Sequence, residues 1–324
     1  MGNLPNDPHL RRIWYNPIIM PLISVIIPTF NRAQMVCDCV RSVLATRYPN
    51  LEVIVVDDCS TEDVIGELRR EFASPVVTCV RTPKNLMVAG ARNLGAQKAS
   101  GEYFVFLDND NVVHPDIFIE LLGVFHERQN VGFVGALSIH QAQDRKNLIW
   151  TLSSTYNHWT SRPIESAANH PLSELSKFPE ISPTDYAPNC TLVPRSIFDK
   201  VGGFDESFGM MYEEADFGLR IIESGYRGFI TTRGKTDHHG FIDPGCNSKL
   251  RRLGIERPLR TYCFARNRLR FARKHFSFLQ ILSVTLVFAP LSCAYYCTIA
   301  LKNRRPDIAW AYLKGTLMGI CGLT

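Results

Sequence analysis

From Leu22 onward, short apolar runs alternate with stretches whose apolar residues fall at helical spacing. Ile23, Val25, Ile26 and Ile27 form one run, stopped by Pro28, and predict a strand; Val36, Val40, Val43 and Leu44 predict a helix across 36–46. The alternation continues with strands expected at 51–56, 76–80, 103–107 and 131–139, and helices at 63–72, 88–99 and 115–127. Such an order predicts an α/β domain built on a mixed, mostly parallel sheet with helices on both faces. In these sheets ligands bind beyond the carboxyl ends of the strands. Pro28-Thr29-Phe30-Asn31, Asp57-Asp58 and Asp108-Asn109-Asp110 each follow a strand, so three polar segments are expected on one edge.

Residues 140–187 lose the rhythm and are rich in Ser, Asn, His and Pro, with Trp150 and Trp159 among them. A long irregular stretch in a compact domain is expected to be functional or mobile. Beyond it the pattern predicts a strand at 190–193, an acidic helix at 210–224 and a strand at 228–232, with His238 and His239 after a short turn.

Composition narrows the class. The 324 residues are 45% hydrophobic and 21% charged, an ordinary globular balance, and a net charge of +5 is too mild to argue for nucleic acid. Ten cysteines without a CxxC pair fit neither a zinc module nor a disulfide framework, so reduced thiols in a cytosolic setting are expected. Residues 1–20 contain no apolar core of a signal peptide, and Asn6 stands where a myristoylation signal needs Ser or Thr; a leader or surface arm is expected.

Two carboxylates on a turn beyond a strand, Asp108 and Asp110, suit Mg2+ or Mn2+, which take oxygen ligands and share them with substrate phosphates. The competing reading is a polar turn. Asp58 is placed to accept a hydrogen bond from a base or a ribose hydroxyl, while Ser60 or Thr61 caps the following helix.

Ser24-Val-Ile-Ile-Pro-Thr-Phe-Asn-Arg32, Val55-Val-Asp-Asp-Cys-Ser-Thr61, Gly90-Ala-Arg-Asn-Leu-Gly95 and Gly101-Glu-Tyr-Phe-Val-Phe-Leu-Asp-Asn-Asp-Asn111, in this order and spacing, resemble glycosyltransferase family 2. The similarity runs from about Leu22 to at least Arg273. The resemblance implies a GT-A, Rossmann-like fold, an inverting mechanism and a nucleotide-diphosphate-sugar donor. It implies that Pro28, Thr29 and the turn with Asn31 contact the nucleotide, that Asp58 faces the base and that Arg92 lies near the diphosphate. Asp108, beside Asn109, would approach the ribose or metal, and Asp110 would be the principal metal ligand.

Gly202-Gly-Phe-Asp-Glu206 and Met211-Tyr-Glu-Glu-Ala-Asp-Phe217, followed by Arg220, resemble the acceptor-side signature of the same family. That signature usually places Glu-Asp at a helix start, with the Asp as general base. Glu214 stands at this position, one methylene longer, and Asp216 is the alternative. A base is needed because an acceptor hydroxyl attacks only as its proton leaves. The plainer reading is that these acids favour the positive end of a helix. The family often has a metal- or diphosphate-touching His where His238 and His239 stand, and His238 is preferred.

At the C-terminus, basic residues from Arg251 to Lys274 precede an uncharged segment, Phe276 to Leu301, longer than the roughly 20 residues that cross a bilayer. Basic residues on both sides do not fit one span, so a re-entrant or interfacial hairpin broken at Pro290 is expected, with 309–323 as an amphipathic surface helix. The basic cluster would meet anionic headgroups or the phosphates of a lipid-linked acceptor; core packing is the alternative. The expected organisation is an arm (1–20), a GT-A domain (21–257, with a nucleotide-sugar half to about 139 and an acceptor half from about 140) and a helical membrane-associating extension (258–324). The expected activity is transfer of one sugar to a glycan or polyprenyl-linked acceptor at the cytoplasmic face of a membrane. A nucleotidyltransferase would carry a Gly-rich basic loop after the first strand, and a processive synthase a Gln-x-x-Arg-Trp motif; neither is found. A degenerate, glycan-binding scaffold is disfavoured by the intact carboxylates.

Overall fold

The computed structural model describes residues 20–142, 145–240 and 248–322. The expected N-terminal arm therefore lies, except for Met20, outside the described residues.

Twelve strands are seen among the described residues: β1 (Ile23–Thr29), β2 (Leu51–Asp57), β3 (Val77–Arg81), β4 (Tyr103–Leu107), β5 (Asn111–Val113), β6 (Val131–His140), β7 (Leu148–Ile149), β8 (Ser153–Asn157), β9 (Arg162–Ser166), β10 (Ile181–Thr184), β11 (Cys190–Pro194) and β12 (Arg227–His238). The main sheet runs β10-β12-β6-β11-β4-β1-β2-β3, with β5 paired to β12 and β7 to β6. The parallel block β4-β1-β2-β3 carries helices Ala33–Leu44, Val64–Glu71 and Met87–Lys98 in its crossovers. Apolar residues that point to alternate faces of β1 enter two different cores. Val25 and Ile27 pack with Val36 and Val40 on one side, and Ile26 packs with Ala91 and Phe106 on the other. Gly95 lets its helix close on the sheet, because a Cβ there would collide with Ile26.

Several expectations change. β11 inserts antiparallel between β4 and β6, so the strands of the first half are not all sheet neighbours. The described residues of 140–187 are not irregular: they hold β7, the β8–β9 hairpin, a 3-10 turn at Leu172–Lys177 and β10. The acidic helix starts at Glu213, preceded by Met211 and Tyr212 in left-handed backbone (φ 66° and 73°). β12 extends to His238, which ends that strand opposite Asn111 and does not follow a turn.

From Pro258 the described residues form three helices. Pro258–His275 packs on the loop around Phe208, and Phe278–Lys302 and Pro306–Cys321 follow as a hairpin. The chain reverses at 303–305, where Arg304 has φ 56°, and not at Pro290. Pro290 lacks an amide hydrogen, and a wider π turn at Ser283–Phe288 immediately before it lets the helix continue.

Candidate active site

The loop after β1 turns through Asn31 and Arg32, both left-handed (φ 58° and 66°). Asn31 fixes it to the loop after β2: its Oδ1 accepts from the amides of Thr61 (2.8 Å) and Glu62 (3.2 Å), and its own amide donates to Ser60 Oγ (2.6 Å). Thr29 Oγ1 accepts from Asn109 Nδ2 (2.7 Å), tying β1 to the turn after β4. Pro28 is buried within β1. Asp58 is buried and accepts from Leu86 N (2.7 Å) and Thr82 Oγ1 (3.1 Å) through one oxygen. Its burial raises its proton affinity. Neither Ser60 nor Thr61 caps the next helix; Asp63 does, accepting from Gly66 N.

Arg92 is 2% exposed and joins the two halves of the site. Its Nη2 lies 2.7 Å from Asp108 Oδ1 and 2.7 Å from Glu214 Oε1, and its Nη1 lies 3.4 Å from Glu213 Oε1. One buried guanidinium thus faces three carboxylates. The excess negative charge has a titration consequence. Burial, reinforced by Asp108 and Glu213 and opposed by Arg92, pushes the Glu214 carboxyl up to about 8. Glu214 keeps a quarter of its side chain exposed, so the group that binds its proton late is also reachable.

Asp110 faces His238, with Oδ2 3.5 Å from Nε2, and accepts from Asn111 Nδ2 at 3.2 Å. Burial alone would raise its pKa, but the hydrogen bond and charge of His238, with Arg32, hold it below the usual carboxylate range. The His238 ring meets Trp150 edge-on at 4.5 Å, and Trp150 stacks on His140 at 4.7 Å. His239 contributes its amide to the Asp110 carbonyl (2.9 Å). It also lines, with Phe30, Arg32 and Asp110, a cavity of about 1020 Å³ whose wall includes none of Asp58, Arg92, Asp108 or Glu214.

Among the described residues, no three His, Cys, Asp or Glu side chains converge as a metal cage. An ionised Asp110 beside His238, with Asp108 nearby in sequence on the same turn, is an incomplete donor set. It fits a hard divalent ion that takes one or two carboxylates and completes its shell with substrate phosphates.

Asp216 is placed elsewhere. It has no exposed surface, and its oxygens meet Arg220 Nε (2.8 Å), Lys274 Nζ (2.7 Å) and His275 Nε2 (2.9 Å). Burial opposes its charge, but these three partners outweigh it and hold the carboxyl low. It anchors the helix to the C-terminal part, away from the Arg92 cluster.

Sequence reasoning missed several members. Glu213, the third partner of Arg92, was legible only as the first of two acids at a helix start. Asn267 donates through Nδ2 to the carbonyls of Phe208 (2.8 Å), Met210 (2.8 Å) and Met211 (2.9 Å), holding the left-handed loop that delivers Glu213 and Glu214.

The glycosyl transferase family 2 model matches residues 24–202. The chain is 29% identical over 231 residues to the O-antigen biosynthesis protein RfbC of Myxococcus xanthus, covering 68% of this chain and 17% of that protein. It is 28% identical over 204 residues to an uncharacterized glycosyltransferase of Haemophilus influenzae, covering 62% of each. The chain thus spans less than two thirds of the length of these relatives. Among solved structures, it resembles the mannosyltransferase PcManGT from Pyrobaculum calidifontis in complex with GDP-Man and Mn2+ (TM-score 0.55, 16% identity, 96% of this chain and 92% of that one). It also resembles GalNAc-T7 with UDP, GalNAc and Mn2+ (TM-score 0.58, 16% identity, 82% and 56%). These likenesses establish the GT-A fold.

Proposed function

The chain belongs to glycosyl transferase family 2, and from that premise we propose that it transfers one sugar, with inversion, from a nucleotide-diphosphate sugar to a hydroxyl of a glycan or polyprenyl-linked acceptor. The observation that carries this reading is the Arg92 bridge. A single guanidinium nitrogen holds Asp108, at the end of β4, and Glu214, at the start of the acceptor-side helix, each at 2.7 Å. Donor-side and acceptor-side carboxylates are thereby fixed against each other.

In this proposal the loop Pro28–Asn31 and Asp58 bind the nucleotide, and Asp108 with Asn109 orients the ribose and diphosphate. Arg92 acts as a positioning residue, because its guanidinium is buried and committed to protein carboxylates. Asp110 and His238 would hold Mg2+ or Mn2+, which when bound supplies charge neutralisation to the departing diphosphate. Glu214 takes the acceptor hydroxyl proton as the oxygen attacks the anomeric carbon opposite the leaving group, which inverts configuration. Asp216 is structural. The domain boundaries are placed at 21–257 for the transferase and 258–324 for a helical extension that works at the cytoplasmic face of a membrane. The name of the Myxococcus relative, an O-antigen biosynthesis protein, supports cell-surface polysaccharide assembly as the setting.

A panel of nucleotide sugars tests the reading, each incubated with and without Mn2+ and with wild type and Asp110→Asn. The expected result is one donor that binds and turns over only with metal and is inert in the variant. If no nucleotide sugar binds and the variant matches wild type, the proposal fails.

A further inference from the structure

The C-terminal hairpin and the tip of the β8–β9 hairpin meet, and both carry apolar side chains that the fold leaves uncovered. On Phe278–Lys302, Leu279, Leu286 and Leu291 are each more than three-fifths exposed; on Pro306–Cys321 so is Trp310, and Leu317 is half exposed. Trp159, at the β8–β9 tip, is also half exposed, and its carbonyl accepts from Ser283 Oγ (3.0 Å) in the wide turn of the long helix. The tip therefore meets the same helix that carries the exposed leucines.

The long helix has 25 residues and is apolar enough to cross a bilayer. Its inner face, however, is bound to the protein along its length. Val284 and Ala289 join Phe271 in one core, and Tyr296 stacks on Tyr312 at 4.7 Å and meets Phe264 at 6.0 Å. Phe264 and Phe271 belong to Pro258–His275, which also carries Arg266, Arg268, Arg270, Arg273 and Lys274. Standing the long helix upright in a membrane while keeping these contacts would draw those charges into hydrocarbon, at high cost. Laying it flat keeps them out. The outward stripe has no charge between Phe278 and Leu301, with Lys302 and Arg304 at its end and Lys314 on the neighbouring helix. Tryptophans beside leucines, with cations at the margin, match the composition of a bilayer interface and complement anionic headgroups.

We propose that this three-part surface seats the protein in the plane of an anionic bilayer, as a monotopic face and not as a span. The inference rests on reading the extension as membrane-associating and adds its geometry and the hairpin tip. Flotation of the full chain with phosphatidylcholine vesicles, with and without phosphatidylglycerol, tests it, followed by labelling of Lys302→Cys with a membrane-impermeant maleimide added outside the vesicles, the labelled position being read by mass spectrometry. Wild type is expected to float with the anionic vesicles, and position 302 of the variant to label from outside, because both ends of an in-plane helix stay on one side of the bilayer. Leu286→Glu/Leu291→Glu should lower partition by about a hundredfold, because two exposed leucines lose their burial. Trp159→Ala should lower it severalfold; unchanged circular dichroism and donor hydrolysis show that both variants fold. Absence of vesicle binding would overturn the membrane reading altogether. Flotation with position 302 protected until detergent is added would retain the membrane but overturn the in-plane seat. A vesicle-free dimer dispersed by the double variant would assign the surface to a second copy instead.

Discussion

Glu214 and Asp216 stand two residues apart on one turn of helix, and their surroundings are opposite. Glu214 faces the sheet edge, where one arginine serves three carboxylates and the proton is held up to about 8. Asp216 faces the C-terminal helix, where three cationic or protonatable side chains serve one buried carboxylate and hold it ionised. Residues two apart on an α-helix are about 200° apart around its axis. Charge balance around a carboxylate, not its closeness to a motif, sets which of the two holds its proton at neutral pH, and on that difference rests the proposal that Glu214 is the base.

The contrast breaks most sharply at Glu214. Glu214→Gln keeps size and polarity and removes the proposed base, so turnover should fall by about 10²–10⁴ with donor binding retained; steady-state rates and donor titration check it. Arg92→Lys keeps the charge but cannot bridge Asp108 and Glu214 from one planar group, and turnover should fall by about a hundredfold through misplacement. In that variant, binding of the donor in a calorimeter should weaken less than the rate falls.

Asp216→Asn should act on stability instead. It leaves Arg220, Lys274 and His275 around a neutral amide, at a cost of about 3 kcal/mol in a denaturant titration, while the folded fraction turns over at close to the wild-type rate. The smallest effect is on pH dependence. The raised Glu214 carboxyl binds its proton more tightly folded than unfolded, so its contribution to stability falls as pH rises from its ordinary 4.5 towards about 8. Asp216 has the reverse sign: its stabilisation is present at neutral pH and is lost as pH falls through its lowered folded value. As pH rises from acid to neutral, the melting temperature of Glu214→Gln should therefore climb above wild type and that of Asp216→Asn fall below it, both approaching wild type in acid.

The parallel block was legible because β1, β2 and β4 are buried apolar runs bounded by turn residues, which periodicity detects. Asp58, Asp108 and Asp110 followed from it, since a strand end fixes where its next residues point. The segment 140–187 was opaque for a physical reason. All of β9 (Arg162–Ser166) is exposed, and β10 is an edge strand carrying Pro183, so neither shows an apolar alternation. The antiparallel insertion of β11 was hidden because pairing is decided by the whole sheet. Arg92 is a similar case: its helix is buried through Ala89, Gly90 and Ala91, and nothing local marks the guanidinium as a bridge to residues 121 and 122 positions away. The Pro290 reading failed because the π turn before it, and packing against Phe271 and Tyr312, carry the helix through.

The role proposed for Glu214 is tested most simply by the pH profile of donor turnover in wild type and Glu214→Gln, measured with the donor found in the panel and saturating Mn2+. The wild-type rate is expected to rise with pH through the range of the Glu214 proton, and the small residual rate of the variant to lack that limb. A variant that keeps both the wild-type rate and the limb would contradict it and return the base to another residue.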